Sequence, residues 1–578
     1  MSALPERVSP ADLQQLARKA ARQGRGEEAI SALRKAVALR PGSVELLNDL
    51  GNALLNQRKF GDAIQSYERA LGICPDYAQA HINLGNAYLI LDQHDRAVDC
   101  YRRALAAEPG NAVALNNMGS ALQGRGEAGE AIACYRQAIG IDPSYERAHS
   151  RLLTALHFHD DYSPRALREE HLAWARQHVP PSQPPPLPSR AVAGEGVKAS
   201  DPDRRLRVGY VSPNFREHCQ SLFTLPLFAN HDRERFEIYC YAGFQIFDET
   251  TQRLRGLVDG WRDTGQMDDA AVAELVREDG IDILVDLTMH MRNGRPLLFA
   301  RRPAPIAVAW LAYPGTTGLG AVDYRLTDPH LDPPGEQDDH YVEKSWRLPE
   351  SFWCYDPGTD EPVNELPALS AGCVTFGCLN NFCKVSDRTL ALWGAVLAAV
   401  PKSRLVLLAP EGVARQRVLG KLVERGIEAG RIGFVGRQPR GAYLRTYHQI
   451  DVGLDTVPYN GHTTSLDCYF MGIPVVTLVG QTVVGRAGLS QLTNLGLGEL
   501  VGRSEGEFVR IAVDLANDLP RLVRLRGTLR ERMRGSALMD GARFARGVEA
   551  AYRKMWRDWC ANGRDREDNV RNDGGDGA

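Results

Sequence analysis

The sequence has no run of 18 apolar residues, which excludes a helix able to cross a membrane. Its opening Met-Ser-Ala-Leu-Pro-Glu-Arg has no apolar leader core, so a cytoplasmic location is expected. There is no CxxC pair. Eleven cysteines lie scattered between Cys74 and Cys560, and that odd number fits buried, reduced thiols better than a disulfide framework or zinc. Basic charge is not in excess: 69 Lys and Arg face 72 Asp and Glu, the net charge is −3 and the pI about 6.6. No broad surface for nucleic acid is expected. No GxGxxG occurs after residue 205, where the chain becomes rich in β-strand runs, so dinucleotide binding has no support. The single DxD, Asp201-Pro-Asp203, falls in a linker, and no metal site is expected there or elsewhere. With 43% apolar residues and eight Trp the chain is not disordered overall, and 578 residues exceed one core, so three or four units are expected.

What the sequence does have is a period. Gly51, Gly85 and Gly119 recur every 34 residues, as do Ala29, Ala63, Ala97 and Ala131, then Tyr67, Tyr101 and Tyr135, then Pro41, Pro75, Pro109 and Pro143. This pattern resembles the tetratricopeptide repeat, an α-solenoid of paired helices. Small residues suit the close crossing of two helices, Tyr fills the space beside them, and Pro closes the second helix. Four repeats phase at 10–43, 44–77, 78–111 and 112–145. The first is degenerate, with Ala17 and Leu33 in the Gly and Tyr positions, as befits a cap. With a closing helix at 146–158 the superhelix spans 10–158. Its concave face is expected to bind protein or peptide. Asn48, Asn52, Asn83, Asn86, Asn116 and Asn117 lie on the first helices; they read either as amides for a bound peptide backbone or as solvated polar positions.

Residues 159–205 hold a helical stretch and a Pro-rich linker. From 206 onward, short β-rich runs alternate with helical segments, the signature of a parallel, helix-covered sheet. The runs are 206–211, 236–242, 283–287, 306–312 and 324–327, then 374–379, 404–408, 431–435, 452–454 and 475–479. Two Rossmann-like lobes follow, 206–365 and 366–560. The polar residues 561–578 read as a disordered tail.

The stretch around which the second lobe is organised is Asp455-Thr-Val-Pro-Tyr-Asn-Gly-His-Thr-Thr-Ser-Leu-Asp467. It leaves an apolar strand and opens a helix, where unpaired N–H groups and the macrodipole favour an anion. Gly461 allows close approach, Thr463 and Thr464 add hydroxyls, and Asp467 could accept from a sugar hydroxyl or cap the loop. The functional reading is a diphosphate cradle; the plain one is a Thr-capped helix after a tight turn. Three other loops follow predicted strands. Ser212 to His218 ends on a lone histidine, more often structural than catalytic. Leu311 to Gly318 is a tight Pro-Gly turn, and Leu379 to Lys384 brings a lysine that beside an anion cradle would neutralise phosphate.

Taken in order, LRVGYVS followed by His218, RPAPIAVAWLAYPGTTG, NNFCK and LDTVPYNGHTTSLD resemble the catalytic region of the O-linked N-acetylglucosamine transferases and their SPINDLY-like relatives. The resemblance implies a GT-B fold, with the nucleotide sugar between two lobes and a terminal helix (541–557) packing back. It implies that His462, Thr463 and Thr464 hold the diphosphate and Asp467 the ribose, with Asn460 and Gly461 also binding the nucleotide sugar. Lys384 would meet the phosphates, with Asn381 beside it, and Pro314 would lie near the sugar. Gln438, Arg440 and Tyr443 would lie in the uridine segment, and His218 would match the cleft histidine discussed as a base. Asn381, Ala312, Tyr443 and Thr446 depart from the animal members, which leaves the donor less determined than the reaction. The expected function is inverting, metal-independent transfer of N-acetylglucosamine from UDP-N-acetylglucosamine to Ser/Thr hydroxyls of a polypeptide recruited by the repeats, with no cofactor beyond the donor. The alternatives are a GDP-fucose-dependent O-fucosyltransferase, a glucosyltransferase on protein or glycan, or an inactive repeat scaffold.

Overall fold

A computed structural model describes residues 9–180, 201–243 and 247–573, with side chains up to 561. The chain divides into two compact units: 1–152 with 409–417, and 153–408 with 418–578. In the first unit the four repeats are four helix pairs: Pro10–Arg22 with Gly26–Leu39, Val44–Asn56 with Phe60–Ile73, Ala78–Ile90 with His94–Ala107, and Ala112–Gly124 with Ala128–Ile141. The 34-residue period has a direct steric cause. A Cβ on Gly51, Gly85 or Gly119 would lie 2.4, 2.6 or 2.7 Å from the ring of Tyr67, Tyr101 or Tyr135. Each ring is fully buried, and the hydroxyls of Tyr67 and Tyr101 donate to Asn52 and Asn86 at 2.8 Å. The asparagines answer to neither sequence reading alone. Asn83 donates to Asn48 at 2.9 Å and Asn117 to Asn86 at 2.9 Å, so much of the amide ladder joins one repeat to the next.

The second unit starts at 153, before the expected boundary at 158. The helix Pro164–His178, read from sequence as part of a linker stretch, is built into it: His171 is fully buried and bonds the Tyr313 hydroxyl at 3.0 Å. The linker residues 181–200 lie outside the described residues.

The first lobe is a seven-stranded, wholly parallel sheet of β1 (Leu206–Ser212), β2 (Phe236–Ala242), β3 (Gly260–Asp263), β4 (Ile283–Asp286), β5 (Ile306–Ala309), β6 (Tyr324–Thr327) and β7 (Lys344–Arg347), in the order β3-β2-β1-β4-β5-β6-β7. The second is six-stranded and parallel: β8 (Thr375–Cys378), β9 (Arg404–Leu408), β10 (Ile432–Val435), β11 (Val452–Leu454), β12 (Val475–Leu478) and β13 (Val501–Gly502), in the order β10-β9-β8-β11-β12-β13. All ten strands expected from sequence form. The three missed are edge strands of two to four residues, in which charge or brevity hides the apolar pattern. The run 306–312 stops at Ala309 because Leu311 turns to φ +83°, outside the strand region.

The helix Gly541–Asp573 packs back on the first lobe, where Glu549 accepts from the His231 ring at 2.9 Å and from the Asp232 N–H at 2.8 Å. It runs on to 573, where composition had read as a disordered tail; a helix already nucleated propagates at one hydrogen bond per residue. Residues 574–578 of that expected tail lie outside the described residues. Across the lobes, Ser490 donates to Asp328 at 2.7 Å and Arg486 to the His330 carbonyl at 3.1 Å. Among the described residues no helix is long and apolar enough to cross a membrane.

Candidate functional site

In each sheet the strand order reverses direction at one place, between β1 and β4 in the first and between β8 and β11 in the second. An open parallel sheet leaves a crevice there at the carboxyl ends of its strands. The loop with His218 follows β1, Lys384 follows β8, and the Asp455–His462 loop follows β11.

The second-lobe loop is built on a buried carboxylate. Asp455 accepts from the Thr456 N–H at 2.8 Å, from the Gly461 N–H at 2.6 Å and from the Thr477 hydroxyl at 2.7 Å. Asn460, fully buried, donates to the Thr456 carbonyl at 2.9 Å. At Gly461 a Cβ would fall 2.2 Å from Ser465 Oγ and 3.0 Å from Asn380 Oδ1, so only glycine fits the loop as folded. The loop runs into the helix Thr463–Phe470, whose start at His462 has no side-chain cap, leaving first-turn N–H groups available to an anion.

Lys384 comes from the other side of the switch point. Its Nζ donates to the Asn460 carbonyl at 2.6 Å and lies 4.0 Å from the centroid of the Tyr459 ring. Burial lowers its pKa from 10.5 to about 8, so near neutral pH it is a desolvated, largely protonated cation. His462 is held among aromatics, 4.9 Å from Tyr459 and 5.3 Å from Trp353. Burial, and then the charge of Lys384, keeps it neutral.

Asp467, expected at the ribose, sits in a network of protein partners. Its carboxylate is buried and already engaged by Arg440 at 2.8 Å, by the Tyr443 hydroxyl at 3.0 Å and by the Tyr355 hydroxyl. Three residues read as separate nucleotide contacts thus form one knot, with Arg440 also donating to the Pro357 carbonyl at 3.1 Å. Gln438 is half-buried just before the helix Arg440–Thr446, and Thr463 is half-buried at the start of the helix Thr463–Phe470. Thr464 spends its hydroxyl on Asn380 Oδ1. Of the Asn380-Asn381 pair it is Asn380 that is buried against the loop, donating to Thr456 Oγ1 at 2.8 Å. Asn381 is exposed and caps the single turn Phe382–Lys384.

In the first lobe His218 is half-buried, with Nδ1 accepting from the Gln220 N–H at 3.2 Å. Burial, then the charges of Arg216 and of Arg437 from the second lobe, lowers its pKa to about 4, leaving a neutral imidazole near pH 7. Pro314 is buried in a turn held at several points. Its carbonyl accepts from the buried Arg325 at 3.0 Å, Glu343 accepts from Thr316 at 2.8 Å and from the Thr317 N–H at 2.6 Å, and His290 bonds the Thr317 carbonyl at 2.7 Å. Leu311, in the left-handed region, begins this constrained turn. Sequence reasoning assigned no role to Asn380, Tyr355 or Tyr459. The doubled Asn after a strand was the one local signal for the first of them.

A family model described as Glycosyl transferase family 41 matches residues 195–359 and 364–548. Tetratricopeptide-repeat models match 15–78, 78–111 and 112–145. Among curated proteins, the chain is 39% identical over 417 residues to the Hordeum vulgare protein named "Probable UDP-N-acetylglucosamine--peptide N-acetylglucosaminyltransferase SPINDLY", covering 71% of this chain and 43% of that one. It is 41% identical over 369 residues to the Arabidopsis thaliana SPINDLY of the same description, covering 62% and 40%. The chain therefore spans less than half the length of these relatives. A solved structure of a mutant Thermobaculum terrenum O-GlcNAc transferase superposes with a TM-score of 0.83 at 39% identity, over 90% of this chain and 98% of that one. It bears out the repeat solenoid followed by two parallel-sheet lobes.

Proposed function

The chain belongs to glycosyl transferase family 41, and we propose that it is an inverting protein O-glycosyltransferase that moves N-acetylglucosamine from UDP-N-acetylglucosamine to Ser/Thr hydroxyls. The observation that carries this reading is the desolvated Lys384 ammonium beside the uncapped start of the Thr463–Phe470 helix, at the switch point of the second lobe. Such a corner suits a diphosphate leaving group. The acceptor oxygen forms its bond to the sugar C1 as the bond from C1 to the diphosphate oxygen breaks. Negative charge grows on the diphosphate, and donors fixed there lower the barrier selectively. The protein supplies positive charge there through Lys384 and the helix amides, with no metal ion required. The acceptor proton passes to a base, and His218, in the loop after β1, is the candidate by position, a weak base at a pKa of about 4. The open groove of ≈ 570 Å³ in the repeats, lined by Gln14, Arg18, Asn48, Asn52 and Tyr77 among others, supports recruitment of a polypeptide acceptor.

A second reading, GDP-fucose as donor, rests on the base segment, since the ribose and diphosphate are common to both nucleotides: Tyr443, where the chain departs from the animal members, is tied to Asp467 at 3.0 Å. Thermal denaturation with UDP or GDP separates the two, because a preferred ligand raises the midpoint by mass action. Protection by UDP and transfer from UDP-N-acetylglucosamine to a peptide support the first. Protection by GDP alone overturns it in favour of the second, and protection by neither, with no transfer, removes both.

A further inference from the structure

The helix Glu146–Leu156 is followed by a turn whose first residues, His157 and Phe158, lie between the stretches matched by the repeat and family models. They face different lobes. The His157 ring packs 4.8 Å from Tyr313, in the constrained turn of the first lobe. Phe158 stacks on Tyr459 of the second lobe, with ring centroids 5.1 Å apart and planes 24° from parallel. Tyr459 is the ring over which Lys384 Nζ sits at 4.0 Å, with His462 against it at 4.9 Å.

We infer that Phe158 is a positioning residue for Lys384, acting through Tyr459. The inference rests on the diphosphate-binding role proposed for that lysine. An aromatic face attracts a cation along a defined direction, so the tilt of the Tyr459 ring decides where the ammonium is held. Besides the hydrogen bond to the Asn460 carbonyl, that face is the ammonium's main restraint. The tilt is in turn limited by the ring stacked against it. Phe158 is only half-buried, so its contribution is the contact with this one ring rather than the filling of a core. Without it Tyr459 gains room to rotate, and the lysine loses its alignment while keeping its charge.

The test is a double-mutant cycle in the full chain with Phe158→Ala, Lys384→Ala and both together, with Phe158→Tyr as the conservative variant. Turnover of the nucleotide sugar and affinity for UDP or GDP, whichever the wild type binds, are measured for each. Phe158→Ala is expected to lower turnover by about 3- to 30-fold, the range of a cation–π contact, with the donor KM changed less than turnover. Phe158→Tyr should restore it. In the Lys384→Ala background the Phe158→Ala change should have no further effect on turnover or nucleotide affinity, because the group it positions is gone. Equal losses in both backgrounds, or no loss in either, would overturn the inference and leave the proposed activity intact. A wild type that turns over no nucleotide sugar and binds neither nucleotide would overturn the activity, and the inference with it.

Discussion

Replacing Lys384 by Met should make the protein more stable at pH 7 and nearly inactive. Methionine keeps an apolar stem over Tyr459 and removes the ammonium. In the folded chain burial brings the lysine pKa from 10.5 to about 8. At about 1.4 kcal/mol per tenfold change in proton affinity, holding the charge there costs at most on the order of 3 kcal/mol. The side chain keeps some contact with solvent, so a gain of ~2 kcal/mol is expected on removing the charge. The pH dependence has a definite sign. Below about 8 the lysine is protonated both folded and unfolded, and the wild type bears the full cost. Between about 8 and 10.5 the unfolded chain binds a proton that the folded chain has shed, so wild-type stability rises with pH and the advantage of the variant closes. Turnover should move oppositely: loss of one preorganised charge donor costs about 10²–10³-fold in kcat, and wild-type kcat/KM should itself fall as pH passes about 8. Denaturant melts of both proteins at pH 7 and 10, beside initial rates, make the comparison. A variant that turns over like the wild type, or is less stable at pH 7, refutes the reasoning.

Three further outcomes follow from the packing. Asp467→Asn removes the charge facing the partly buried Arg440 and should cost about 2–3 kcal/mol, discounted from a fully buried pair because Arg440 is 27% exposed; the urea midpoint of the catalytic unit and nucleotide affinity should fall together. Gly461→Ala forces a methyl to within 2.2 Å of Ser465 Oγ, and nucleotide affinity should drop by about 5- to 150-fold, the equivalent of an overpacking cost of about 1–3 kcal/mol. Adding Ser465→Gly should recover part of that loss, as titration calorimetry would report. Gly85→Ala sets a methyl 2.6 Å from the Tyr101 ring and should destabilise the repeats by about 1–3 kcal/mol, read as a lowered helical melting midpoint; unchanged melting would show that the ring can move aside.

What could be read in advance was whatever repeats over short distances. The 34-residue period encodes a contact between helices of one pair, Gly51 on Tyr67 and its two copies, so it surfaces as a pattern. Nine of the ten strands read in advance are inner ones whose residues run largely apolar, and the tenth, β10, is an edge that keeps the apolar run Ile432–Val435. The edge strands β3, β7 and β13 were not, since an edge tolerates charge, as in Gly260–Asp263 and Lys344–Arg347.

The sequence by itself determined the solenoid, the two lobes and the loops that carry chemistry, because each is specified by neighbours within a few turns. Only the tertiary structure decided which residues of those loops face one another. It selected Asn380 over Asn381, tied Asp467 to Tyr355 and Arg440, and set Lys384 on Tyr459. These contacts join residues 27 to 112 positions apart. Such pairs meet only because parallel strands must cross over before they align, and that crossing brings β8 beside β11 although β9 and β10 lie between them in the chain.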